Sequence, residues 1–240
     1  METVGEAFHF MHCLLQGLAF LHERRIAHRD VTEVNVMVNY YRDNMYTHSW
    51  GEELKRLRKD NRICYALMDF DQSIILPDYI DLRTCLRPSH EADHGEGVYK
   101  PWDGDFGEPH YNPFAFDVGM MGNIFRMHLN DIVPKVPACA ALFDKMTTYV
   151  VAQRWTAEEA LRFLRSIMAT LDEKTLQEQV VLRIPEYFDE YWDKLSPESR
   201  AKWAPFRTPP VSRMALIMEW FYKFDVIRSI VKSVRRIINL

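Results

Sequence analysis

The segment His28-Arg29-Asp30-Val31-Thr32-Glu33-Val34-Asn35 sets an acid and an amide five positions apart, between stretches of different periodicity. Upstream, Phe8, Met11, Leu14, Leu15, Leu18 and Leu21 recur at helical spacing and predict a helix over residues 6–22 with one apolar face. Downstream, Val34-Asn35-Val36-Met37-Val38 is β-branched and compact and predicts a short strand. Residues 63–69, Ile-Cys-Tyr-Ala-Leu-Met-Asp, predict a second strand that runs into Phe70-Asp71. Two short strands around a polar connection form a hairpin. The expected fold is therefore α+β, mostly α, with a short β-hairpin bearing the chemistry.

The rest of the chain divides by pattern. Residues 41–62 are polar and charged and predict an insertion or long hairpin loop; residues 71–113, rich in glycine, proline and acids, predict a long loop of the kind that carries function. From Phe114 the pattern turns helical and apolar on most sides, through Phe116, Val118, Met120, Met121, Ile124 and Phe125. Further helices are expected at about 138–150, 157–170, 175–192 and 212–239, with no internal repeat.

Composition narrows the function classes. With 240 residues and 48% hydrophobic content, the chain can bury one substantial core. A net charge of −4 argues against a general nucleic-acid binder. Cys13, Cys64, Cys85 and Cys139 are scattered without a C-x-x-C pair, which suggests neither a disulfide framework nor a cysteine zinc site and fits a reducing, cytoplasmic or nuclear setting. The N-terminus lacks the basic and apolar regions of a signal peptide, and no uninterrupted apolar run predicts a transmembrane segment.

The 28–35 segment matches the pattern H-R-D-x-x-x-x-N, and Asp69-Phe70-Asp71 resembles D-F-G with its glycine replaced. The chemistry accounts for the spacing. An acid beside an attacking hydroxyl accepts its proton, and an amide oxygen one loop-turn away reaches a magnesium ion bridging phosphates. Three companions follow in order. Gly17 to His22 resembles the end of the helix before a kinase catalytic loop, Phe116-Asp117-Val118-Gly119-Met120-Met121-Gly122 resembles a D-x-x-x-x-G helix start, and Arg154-Trp155-Thr156-Ala157-Glu158-Glu159-Ala160-Leu161 resembles R-x-T-A-E-E-A-L. Over roughly residues 5–170 the chain resembles the C-lobe of a protein kinase, closest to the divergent kinase-like proteins of mushroom-forming fungi.

This resemblance implies a kinase-like C-lobe over 1–172, a helical extension over 173–240, and an ATP-gripping N-lobe outside these residues. It implies transfer of a phosphoryl group from ATP to Ser/Thr hydroxyls of an unidentified protein substrate. Asp30 would be the base, within the catalytic trio His28, Arg29 and Asp30. Asn35 and Asp69 would hold magnesium, Met37 would lie beneath adenine, and Asp117 would anchor the loop backbone. Arg29 would meet a phosphate on the following segment, with Thr84 or Ser89 as candidates.

The departures define the alternatives. The lysine that such kinases place two residues after the acid is Thr32, no Gly-rich loop or V-A-I-K lysine occurs, and Glu108-Pro109 is the nearest remnant of A-P-E, with a pairing to Arg154. A chain without those ATP-binding parts is expected to be inactive alone, and a pseudokinase serving as a binding or scaffold module is the second reading. Small-molecule phosphotransferases share the fold but usually carry glycine where Arg29 stands. A zinc hydrolase is suggested by His90-Glu91-Ala92-Asp93-His94, which matches H-E-x-x-H, but Lys100 stands where a third histidine is wanted and Gly95 and Gly97 would end the helix that the motif requires.

Near the C-terminus, Phe224, Ile227, Ile230, Val231, Val234 and Ile238 share one side of a helical projection, with Arg228, Lys232, Arg235 and Arg236 on the other. The pattern fits first a helix packed on the lobe with its basic face in water, and second a membrane-surface or partner contact through residues 223–239.

Overall fold

The computed structural model describes residues 1–40, 50–60, 62–92, 97–101, 110–182 and 191–208, with single positions between 217 and 233. It is α+β and mostly helical, with small sheets. Helix α1, Val4–Glu23, starts at Thr3, whose hydroxyl accepts the backbone N–H of Glu6 at 3.3 Å. Its stripe of Val4, Ala7, Phe8, Met11, Leu14, Leu15 and Leu18 is buried in the core. Among the described helices only α1 is long and apolar enough to cross a membrane, and that apolar face is already covered by protein.

Three two-stranded antiparallel ladders follow. Strand β1 (Ile26–Ala27) pairs with β4 (Ile74–Ile75), and β2 (Val36–Val38) pairs with β3 (Tyr65–Leu67) with Val36 opposite Leu67. Strand β5 (Arg87–Pro88) pairs with β6 (His110–Tyr111). The strands expected at 34–38 and 63–69 are present but shorter, because Glu33–Asn35 forms a 3₁₀ turn instead.

Helix α2, Trp50–Lys59, stands within the stretch expected to be a loop. Glu52 and Glu53 in its first turn and Arg56, Arg58 and Lys59 in its last suit the helix dipole, and Leu54 and Leu57 pack on the core. Residues 41–49 lie outside the described residues.

Helix α3, Pro113–His128, is buried on nearly every side, as its all-round apolar pattern predicts. Asn112 caps it, accepting N–H bonds from Phe114 and Ala115 at 3.0 Å each, and Pro113 occupies the first turn. Helix α4 is Ala138–Thr147 and α5 is Ala157–Met168. Gly122 lets α3 and α4 approach closely, since a Cβ there would lie 2.7 Å from both Met146 Cβ and Thr147 Cγ2.

The helix expected at 175–192 is replaced. Helix α6 covers only Glu173–Leu176, and the chain then pairs with the N-terminus through Val4 N–H to Glu178 O at 2.9 Å and Val180 N–H to Glu2 O at 3.0 Å. Residues 183–190 are outside the described set. Val180, Tyr191, Trp192 and Leu195 join the same apolar cluster as α1 and α3, so this part of the proposed extension shares the main core. Helix α7, Pro197–Trp203, closes the described body. Most of 212–239 lies outside the described residues.

Candidate active site

Ladders β1–β4 and β2–β3 tie together the two segments that carry the sequence motifs. Residues 28–35 run from β1 to β2, and residues 68–73 run from β3 to β4, so each loop is pinned at both ends to the other. Met68 N–H donates to Asn35 O at 2.9 Å, which extends the β2–β3 pairing by one step. Asp69 is therefore the residue just beyond the partner of Asn35.

Inside the first loop, Asn35 is buried and its amide donates twice to Asp30, to the backbone O at 2.9 Å and to Oδ2 at 2.8 Å. Both amide hydrogens are thus used within the loop, and the amide is oriented. Asp30 Oδ1 and Thr32 Oγ1 are shielded from water without hydrogen-bond partners among the described residues. An unsatisfied buried acceptor costs about 1–3 kcal/mol, so two in one short loop need a reason. The hydroxyl of Thr32 occupies the position where a cation was missed in the sequence.

His28 is fully buried. Its Nε2 lies 3.0 Å from Met68 O, and its ring packs against Phe70 with centroids 5.0 Å apart. Arg29 and Asp69 both adopt left-handed backbone, with φ of 67° and 63°. Non-glycine residues pay for that conformation, and such positions cluster at functional loops. The positive φ falls on Asp69 and not on Asp71, so replacing glycine at position 71 imposes no backbone strain. Asp69 itself is exposed, and among the described residues its carboxylate has only a 3.5 Å contact from Asp71 N–H to Oδ1.

The loop is fixed from below by Asp117 of α3. This wholly buried carboxylate accepts the N–H of His28 at 2.7 Å and of Arg29 at 2.6 Å, and His22 Nε2 stands 3.1 Å from Oδ2. The backbone anchoring expected of Asp117 is present, and His22 adds a third partner that no sequence spacing signals.

Arg29 is held differently from expectation. Its Nε donates to Gln72 O at 2.5 Å, and its Nη1 donates to Glu91 Oε2 at 3.1 Å, with Tyr111 Oη at 3.5 Å. Arg87 clamps the same Glu91 through two bonds of 3.1 and 2.8 Å. A carboxylate thus already fills the place proposed for a phosphate on Thr84 or Ser89. Burial pushes the Tyr111 phenol above its ordinary range despite the opposing pull of Arg29, so it stands beside the pair as a neutral hydroxyl.

This ion-pair cluster also removes the acid of the H-E-x-x-H match. Ser89–Ala92 is a 3₁₀ turn, not the α-helix that would align two histidines, and Asp93 and His94 lie outside the described residues. Among the described residues no trio of His, Cys, Asp or Glu is arranged to hold a metal. Glu108-Pro109 also lies outside. Arg154 is buried and donates to Thr148 O at 2.7 and 3.1 Å and to Ala115 O at 2.9 Å, joining α3 to the turn before α5.

Met37, on β2, is half exposed, as are Val34 and Phe70, with Met68 somewhat less so. These four apolar side chains flank Asn35 and Asp69 in sequence. A cavity of about 820 Å³ lies elsewhere, lined by Phe20, Leu82, Phe114, Trp155 and Leu161. Segments of the Gly17–His22 and Arg154–Leu161 motifs line it, but none of residues 28–37 or 68–71 does, and the buried orphan atoms make the 28–35 loop the better candidate for chemistry. The sequence matches no known protein family and no curated protein.

Proposed function

We propose that the 28–35 and 68–73 loops form the acid-and-metal half of a protein-kinase-like phosphoryl-transfer site, using ATP and magnesium and acting on protein Ser/Thr hydroxyls. The observation that carries this reading is the unpartnered Asp30 Oδ1 beside an Asn35 oriented by Asp30, with Asp69 one pairing step away. The donor set fits magnesium: Asn35 Oδ1 has no hydrogen-bond donor among the described residues, and Asp69 offers an exposed carboxylate, both hard oxygen ligands. When bound, magnesium neutralises phosphate charge.

This chain's residues supply the rest. Asp30 accepts the proton of the attacking hydroxyl, a role for a carboxylate within hydrogen-bond reach of it. Asp117 fixes the backbone of the loop, and Arg29 ties it to the 68–73 loop through Gln72 and to the segment after β5 through Glu91. The half-exposed Met37 and its apolar neighbours offer a surface for adenine. A nucleotide gripped from this side alone keeps much of its charge in water, where stabilisation is weak. A complementary half that covers the phosphates from the other side would complete the site, and the 240 residues alone are expected not to turn over.

Calorimetric titration with Mg-ATP and a labelled-phosphate transfer assay test this. The 240-residue chain is expected to bind feebly and transfer nothing. Joined to an ATP-gripping lobe, it is expected to transfer phosphate in a way that Asp30→Asn abolishes. Tight binding by the 240 residues alone overturns the divided-site reading. A longer form that binds Mg-ATP tightly without transfer supports the pseudokinase scaffold.

A further inference from the structure

We propose that the C-terminal segment binds the surface of anionic phospholipid membranes. The observation is a concentration of exposed apolar side chains in one short stretch. Ile217, Trp220, Phe221, Phe224, Val226 and Ile230 are each 40–70% exposed. Trp220 packs edge-on against both Phe221 and Phe224, with centroids 5.1 Å apart in each case, so these rings form one aromatic group that is still 40–56% exposed. Positions 217, 220, 221, 226, 227, 230 and 233 are helical, and Phe224 sits at a bend between them.

Charge selects the occupant. Residues 223–239 carry Lys223, Arg228, Lys232, Arg235 and Arg236 against the single acid Asp225, a net +4 within a chain whose total is −4. At 100° per residue the sequence puts Arg228, Lys232, Arg235 and Arg236 together and Phe224, Ile227, Val231, Val234 and Ile238 together. A folded lobe asks only for the apolar side. An anionic bilayer surface satisfies both, with rings and aliphatic side chains at the headgroup–acyl boundary and cations among the phosphates. Tryptophan is favoured at that boundary because its ring is apolar with a polar edge.

The affinity follows from the same arithmetic. Each cation near an anionic surface is worth roughly fivefold in partitioning, so losing two costs about thirtyfold. The test is vesicle flotation of the full chain, in which aggregated protein does not float. The chain is expected to float with phosphatidylcholine vesicles that contain phosphatidylserine and to stay at the bottom with phosphatidylcholine alone. The pair Arg228→Gln and Lys232→Gln should weaken flotation about thirtyfold, and Trp220→Ser with Phe224→Ser should abolish it, with unchanged far-ultraviolet circular dichroism for both. A chain that stays down with phosphatidylserine vesicles overturns the proposal and points the apolar face to a protein partner. Equal flotation with both vesicle types also overturns it, since charge would then play no part.

Discussion

The Asp117 carboxylate, wholly buried in α3, takes the backbone N–H of His28 at 2.7 Å and so fixes the start of the loop that carries Asp30. Anchor and acid thus have opposite roles. Asp117→Ala strands the N–H groups of His28 and Arg29, and each lost partner costs about 1–3 kcal/mol, so a loss of about 2–6 kcal/mol is expected. Asp30→Ala removes Oδ1, which already lacks a partner, and Oδ2, which takes one Asn35 amide hydrogen while the Asp30 backbone O keeps the other, so a smaller loss of about 1–2 kcal/mol is expected. Denaturant unfolding of the two variants checks this; equal losses would contradict the division of roles.

Glu91 is the common acceptor of Arg29 and Arg87. Glu91→Gln keeps the shape but leaves two guanidinium groups without an anion. Arg29 is largely buried, so about 1–3 kcal/mol should be lost, whereas Thr84→Ala and Ser89→Ala should be near neutral. Thermal melts of the three variants compare them directly.

Gly122→Ala places a methyl group 2.7 Å from Met146 Cβ and Thr147 Cγ2. Both are close to the α4 backbone and cannot swing aside, so overpacking should cost about 1–3 kcal/mol. Gly17→Ala, where a Cβ would meet nothing within 4 Å, should be neutral or slightly stabilising in the same denaturant series.

Glu159 closes the capping box of α5 and receives Arg83. Burial pushes its carboxyl up, but the Thr156 backbone N–H and Arg83 together outweigh this and hold it below the ordinary range. A depressed folded value means that the contribution is present above the unfolded pKa and fades as pH falls through the folded one. Glu159→Gln should therefore lower stability at neutral pH and flatten its acid dependence. Unfolding midpoints measured from neutral to acidic pH test the sign.

The helices α1, α3, α4 and α5 were legible because their apolar positions repeat with the helical period, and the two loops that carry Asp30, Asn35 and Asp69 were legible because β-branched and apolar runs mark the strands beside them. Helix α2 was hidden because its charge pattern is strong and only Leu54 and Leu57 mark a buried side. The helix expected at 175–192 failed because residues 178–180 pair with the N-terminus, a long-range contact without a local signal. Glu91 was visible as part of H-E-x-x-H, but its partner Arg29 lies far away in sequence, so periodicity could not reveal the ion pair.

The proposed site requires that Asn35 and Asp69 share one divalent cation beside Asp30. Paramagnetic broadening by Mn²⁺, standing in for magnesium in ¹⁵N-resolved spectra of the full chain, measures this without any nucleotide or second lobe. The Asn35 side-chain amide and the backbone amides of Asp69 and Phe70 are expected to broaden first, and Asp69→Asn is expected to suppress the effect while leaving the spectrum folded. Broadening centred elsewhere, with Asn35 and Asp69 untouched, would contradict it.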